Sequence, residues 1–89
     1  MEIEIHDTWV KGKKGMMHFD VAIEHKKDEN DNKLAVASAK KYLRSVGEKT
    51  AKITSKECKF CHTQSSEEKL KKDIEKKGYS IIPMDGCPE

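Results

Sequence analysis

The sequence is poor in aromatic residues and in long apolar runs. One Trp, two Tyr and two Phe supply all its aromatic anchors, and hydrophobic residues make up 35% of the 89 positions. No stretch approaches the ~20 apolar residues that a membrane-spanning helix needs, so no membrane partner is expected. The start, Met1-Glu2-Ile3-Glu4, has neither the basic residues nor the apolar run of a secretory signal, and a cytoplasmic location is the expectation. Neither sign of charge dominates: 18 Lys and Arg stand against 16 Asp and Glu, a net charge of +2. A nucleic-acid binder more often concentrates a strong basic excess on one face. Here the lysine pairs Lys13-Lys14, Lys26-Lys27, Lys40-Lys41, Lys71-Lys72 and Lys76-Lys77 are interleaved with acids, which reads as solvated surface. The sequence leaves the partner and the oligomeric state undetermined. There are three cysteines. In a reducing compartment they stay thiols, which shifts the expectation from structural disulfides to metal binding or thiol chemistry.

What is present is periodic, and 89 residues make one domain, residues 1–89. Ile3, Ile5, Asp7 and Trp9 share one parity and Glu4, His6 and Thr8 the other, the alternation of a strand with one acid on its apolar side. Lys11 to Gly15 is a five-residue loop. Met17, Phe19, Val21 and Ile23 then alternate with Met16, His18, Asp20 and Ala22, completing an N-terminal β-hairpin. Asp31 or Asn32 caps a helix carrying Val36, Ala39, Leu43 and Val46 at helical spacing, and Gly47 suits its end. Lys49 to Glu57, with Ala51, Ile53 and Ser55 on one face, reads as a third strand. Ser65 and Glu68 form a capping-box pattern for a helix with Leu70 and Ile74 on one face, ended by Gly78. Tyr79 to Met84 reads as a last strand whose Pro83 fits an edge.

The expected fold class is therefore α+β, in the order β-β-α-β-α-β, with a mixed four-stranded sheet packed by two helices. Helical crossovers usually make their flanking strands parallel. On that basis the strands ending near His25, Glu57 and Met84 finish at one edge. Cys58, Cys61 and His62 then meet Cys87 there, with His25 nearby.

Cys58-Lys59-Phe60-Cys61-His62 is the strongest chemical signal. Two residues between cysteines let a turn aim both sulfurs at one ion, and a tetrahedral zinc needs four ligands. Cys58, Cys61 and Cys87 offer three, and His62, His25 or His18 a fourth, so zinc is the expected cofactor. A Cys-x-x-Cys between strand and helix also suits thiol redox chemistry, with Lys59 lowering a thiol pKa. Ser65 caps too late for that, and no cis-proline candidate is in place. Cys-x-x-Cys-His matches the attachment motif of c-type haem as well, which generally belongs to exported proteins. His18 and Asp20, two apart on a strand, point the same way and can act as an oriented base or metal ligand, or form an ordinary wet pair. Asp7 needs a partner if buried. Three functional readings follow. The first is a zinc-binding module using Cys58, Cys61, His62 and Cys87. The second is a thiol oxidoreductase, or a cysteine-based hydrolase with Cys58 as nucleophile near His18 and Asp20. The third is a scaffold whose Lys71, Lys72, Lys76 and Lys77 meet RNA or an acidic partner.

The blocks Asp7-Thr8-Trp9-Val10-Lys11, Met17-His18-Phe19-Asp20-Val21, Cys58-Lys59-Phe60-Cys61-His62, Gly78-Tyr79-Ser80-Ile81 and Gly86-Cys87 together resemble a small bacterial family, the domain of unknown function numbered twenty twenty-four. The resemblance spans nearly the whole chain. It implies a compact α+β domain with a mixed sheet and brings no established activity. Relative to that family, Asp28 to Lys33 reads as a longer polar insert before the first helix.

Overall fold

The computed structural model describes residues 1–26, 30–48 and 51–87. The elements are β1 (Glu2–Gly12), β2 (Gly15–Glu24), α1 (Asn32–Ser45), β3 (Cys58–Ser65), α2 (Glu68–Lys77) and β4 (Ser80–Pro83). The class and the order of elements are as expected. The sheet is not mixed: its strand order is β3-β1-β2-β4 and every neighbouring pair is antiparallel. The α1 crossover does leave β2 and β3 pointing the same way, but β1 lies between them. The α2 crossover then carries the chain from one edge of the sheet to the other, where β4 runs opposite to β3.

The hairpin turn is tighter than the sequence suggests, with Gly12 opposite Gly15 and only Lys13-Lys14 between them. Both carboxylate oxygens of Glu48 accept from the Lys13 N–H, at 2.9 and 3.0 Å, and tie the turn to the end of α1. Asp31 caps α1 by accepting from the Leu34 N–H at 3.1 Å. The helix buries Ala35, Ala39 and Leu43 on Met17, Phe19, Val21 and Ile23, with Tyr42 edge-on to Phe19 at 4.9 Å. Of the polar insert, Asp28 and Glu29 lie outside the described residues, while Asn32 and Lys33 form the first turn of the helix.

Two sequence expectations need correction here. Residues 51–57 are coil and turn, and Lys49 and Thr50 lie outside the described residues. Ile53 is buried in the core, but its segment joins no ladder. The third strand is instead the cysteine segment itself. Ser65 ends that strand, so no capping box forms; Glu67 takes the N-cap position without a side-chain hydrogen bond. Helix α2 lays Leu70 and Ile74 on Ile3, Ile5, Ala22 and Ile82, and Gly78 ends it in the left-handed conformation. Among the described residues no helix is long and apolar enough to cross a membrane.

Beyond β4 the chain continues along β2. The Met84 N–H donates to His18 O at 3.0 Å and the His18 N–H to Asp85 O at 2.8 Å. Gly86 then turns at φ +72°, and a Cβ there would lie 2.2 Å from Met16 O. Both the conformation and the clash exclude a side chain. Gly86→Ala is expected to lift this strap at a cost of about 2 kcal/mol or more. Faster hydrogen exchange of the His18 amide would report it, and an unchanged rate would contradict it.

Candidate functional site

The sheet's second face is only half covered. A 10-residue helix such as α2 spans about 15 Å, while an 11-residue strand such as β1 spans about 36 Å. Helix α2 therefore covers the end of the sheet around Ile3, Ile5 and Ala22. Towards the hairpin turn the same face carries Asp7 and Trp9 from β1 and Met16, His18 and Asp20 from β2. The register sets Asp7 opposite Asp20 and Trp9 opposite His18.

These four side chains make one cluster. His18 Nε2 donates to Asp7 Oδ1 at 2.5 Å, and the indole N–H of Trp9 donates to Asp7 Oδ2 at 3.1 Å. The Trp9 indole stacks on the His18 imidazole, 3.8 Å between centroids and 10° from parallel. Burial alone would raise the pKa of Asp7, but hydrogen bonds from His18, Asp20 and Trp9 outweigh it and hold the carboxyl below its ordinary value. Asp20 goes the other way. Burial first, then the hydrogen bond and charge of Asp7, push it up to about 6. Two facing carboxyls thus divide their roles, one ionised and one inclined to keep its proton. One ligand atom from each of Asp7, His18 and Asp20 lies within 4.8 Å of the others, the one grouping of this kind among the described residues.

The thiols do not come together as the parallel arrangement required. Cys58 is buried against the α1 side of the sheet, accepting from Thr8 Oγ1 at 3.4 Å, and burial pushes its thiol pKa up. That disfavours the thiolate a nucleophile or metal ligand needs. Cys61 is exposed at a bulge in β3, its thiol 3.3 Å from His62 Nδ1, while His62 Nε2 donates to Gln64 at 2.7 Å. Cys87 sits beyond β4, donating to His18 O at 3.4 Å. Beside it the buried Tyr42 hydroxyl is pushed up to about 12, by burial and then by Cys87. Cys58 on β3 and Cys87 beside β2 and β4 are separated by at least two strand spacings, roughly 10 Å. Of the sequence candidates, the structure unites His18 and Asp20 and adds Asp7 and Trp9, which periodicity had marked only as an acid among apolar neighbours and a core anchor.

A second polar cluster lies inside the domain. Glu4 is 1% exposed and His6 fully buried. Glu4 accepts from His6 Nε2 at 2.9 Å, His25 Nδ1 at 2.8 Å and the Asp31 N–H at 3.0 Å. Asn32 donates to His6 Nδ1 at 3.3 Å and to Cys58 O at 2.8 Å, linking the start of α1 to β3. The sequence signal was present, since Glu4 and His6 occupy the parity of β1 that faces α1.

The family model described as a domain of unknown function, DUF2024, matches residues 1–84. The chain belongs to the DUF2024 family. No curated protein matches it by sequence. Among solved structures, the NMR structure of protein NE1680 from Nitrosomonas europaea, a Northeast Structural Genomics Consortium target, is similar to it at 42% identity with a TM-score of 0.83. The match covers 99% of this chain and 100% of that one. The DUF2024 match ends at residue 84, so it takes in the whole Asp7–His18–Asp20 cluster and stops short of Cys87.

Proposed function

We propose that this DUF2024 domain binds a divalent metal cation through Asp7, His18 and Asp20. The observation that carries the reading is the convergence of two carboxylates and one imidazole on the uncovered half of a rigid sheet. Oxygen and nitrogen donors of this kind suit zinc and its first-row neighbours, and three protein ligands leave a position open. The cation takes the place of the proton between His18 and Asp7, so His18 binds through Nε2 with the imidazole in its Nδ1–H tautomer. Trp9 fixes both neighbours, by its stack on His18 and its hydrogen bond to Asp7, as outer partners of metal ligands do. Three free thiols suit a reducing, cytoplasmic setting. They are not needed as ligands here.

Cobalt(II) separates this reading from a thiol site. Bound cobalt is expected without sulfur charge-transfer bands, one per chain, retained when Cys58, Cys61 and Cys87 are all changed to Ser and lost in His18→Ala. Sulfur bands that vanish in the cysteine variant would return the site to the thiols. A cation must also displace the proton of Asp20, whose pKa is pushed up to about 6. Zinc affinity is therefore expected to rise about tenfold per pH unit below that value and to level off above it. Titration calorimetry from pH 5 to 8 reads this slope, and a flat profile would count against Asp20 as a ligand.

A further inference from the structure

Next to the metal cluster lies a groove of another chemistry. The segment 51–57 leaves the core at Ile53 and turns back so that its Glu57 carbonyl accepts from the Trp9 N–H at 3.0 Å. Between this turn and the end of the hairpin opens a cleft of about 610 Å³, lined by Trp9, Lys11, Lys52, Thr54, Lys56 and Glu57 among others. The lysines are exposed. The carboxylate of Glu57 is held by its own turn, accepting from the Thr54 N–H at 2.8 Å and Thr54 Oγ1 at 2.7 Å. Three cations thus face the cleft with their one acidic neighbour already engaged.

Trp9 gives the cleft its character. One face of the indole is taken by His18, its N–H is held by Asp7, and 46% of the residue is still exposed. An indole fixed in this way is a preorganised stacking surface, with little rotamer freedom left to lose when a planar ligand arrives. Lysines around an aromatic platform are how proteins hold a base and its phosphate. The overall charge conceals this, because Lys11 and Lys52 are 41 residues apart in sequence and meet only through the turn.

We propose that this groove binds nucleotides, with a base stacked on Trp9 and its phosphate held by Lys11, Lys52 and Lys56. The site does not need the metal and stands or falls separately from it. The ligand can come as a free mononucleotide or as a nucleotide within a single strand, since both present the same base and phosphate.

Trp9 is the chain's single tryptophan, so with metal excluded its fluorescence reports on a ligand entering this groove. Titration of the full chain, in chelator so that no metal takes part, uses AMP, a short single-stranded oligothymidylate and inorganic phosphate. Quenching by AMP assigns a free nucleotide, and quenching by the oligonucleotide alone assigns a strand; either supports the proposal. For a strand held by three lysines, raising salt from 50 to 200 mM is expected to weaken binding about 20-fold. Lys52→Glu combined with Lys56→Glu, both on an exposed turn, should weaken binding at least tenfold while leaving the far-ultraviolet circular dichroism of the free protein unchanged. Trp9→Ala, followed by anisotropy of a labelled oligonucleotide, should lose about tenfold or more. No quenching by AMP or the oligonucleotide would overturn the proposal. So would inorganic phosphate binding as tightly as AMP, or indifference to the lysine reversals.

Discussion

Asp20→Asn raises the melting temperature of the metal-free domain at neutral pH and at the same time abolishes its cation binding. The two effects have one cause. Asp20 has a pKa of about 6 in the folded chain against an ordinary 3.8, because burial and the ionised Asp7 opposite disfavour its charge. A raised carboxyl pKa means that the folded state holds the extra proton. The stability this supplies is complete below pH 3.8 and is lost as pH rises through about 6. At pH 7.5 the native chain has lost it, whereas Asn is neutral at every pH and still offers Asp7 an N–H. The difference of about 2 pH units corresponds to roughly 3 kcal/mol. Coupling to Asp7 and partial solvent screening reduce this to about 1 kcal/mol, or about 4–8 °C in Tm for a domain of this size. Differential scanning calorimetry in chelator reads the gain, which should vanish below pH 4. An Asn variant that melts lower than the native chain at pH 7.5 would refute the carboxylate conflict. Stability given up at a cluster that binds is the usual trade between folding and function.

Glu4→Ala is expected to have the largest effect on folding, a loss of about 3–5 kcal/mol. The buried carboxylate answers three donors, His6 Nε2, His25 Nδ1 and the Asp31 N–H. Its removal orphans the His6 ring inside the domain and frees His25 and the Asp31 N–H at its margin, and an unpartnered buried donor carries its full desolvation penalty. Domains of this size have only about 5–15 kcal/mol in total. Burial alone would raise the Glu4 pKa, but the hydrogen bonds from His25, His6 and Asp31 outweigh it and the carboxyl stays below 4.5. A depressed pKa contributes stability that is present above the ordinary value and lost as pH falls through the folded one. The native chain should therefore show an acid-unfolding limb below pH 4.5 that the Ala variant lacks. Urea midpoints measured from pH 3 to 7 give both quantities. A Glu4→Ala midpoint within error of the native one would show that the cluster holds nothing together.

How much of this the sequence discloses depends on burial pattern. Both hairpin strands alternate cleanly, and α1 has a cap at Asp31 and a stop at Gly47, so these elements were legible. Strand β3 was not. It is an edge strand in which Cys58 alone is fully buried, and the bulge at Cys61 breaks what parity remains. Ala51, Ile53 and Ser55 meanwhile imitate a strand in a segment that sends only Ile53 into the core. A strand over Lys49 to Glu57 puts the thiols after it, whereas β3 holds Cys58 and Cys61 within it. The direction of β4 then turned the shared edge into two distant ones.

The cluster was half legible for a related reason. His18 and Asp20 share a strand and a parity, which the sequence states outright. Asp7 joins them through the hairpin register alone. The two-residue turn pairs Gly12 with Gly15 and so Asp7 with Asp20. A five-residue loop from Lys11 to Gly15 would pair Val10 with Met16 and set Asp7 beside Phe19. A slip of one residue moves a whole strand's side chains to the other face. The site thus depends on turn geometry that composition does not record.

The glycine at position 78 decides more than where a helix stops. Chain economy there forces a reversal into β4 after less than three full turns, so the second layer never reaches the hairpin end. Because β4 starts opposite Ala22, that reversal keeps α2 over Ile3, Ile5 and Ala22 and leaves the acidic pair and the indole without a roof.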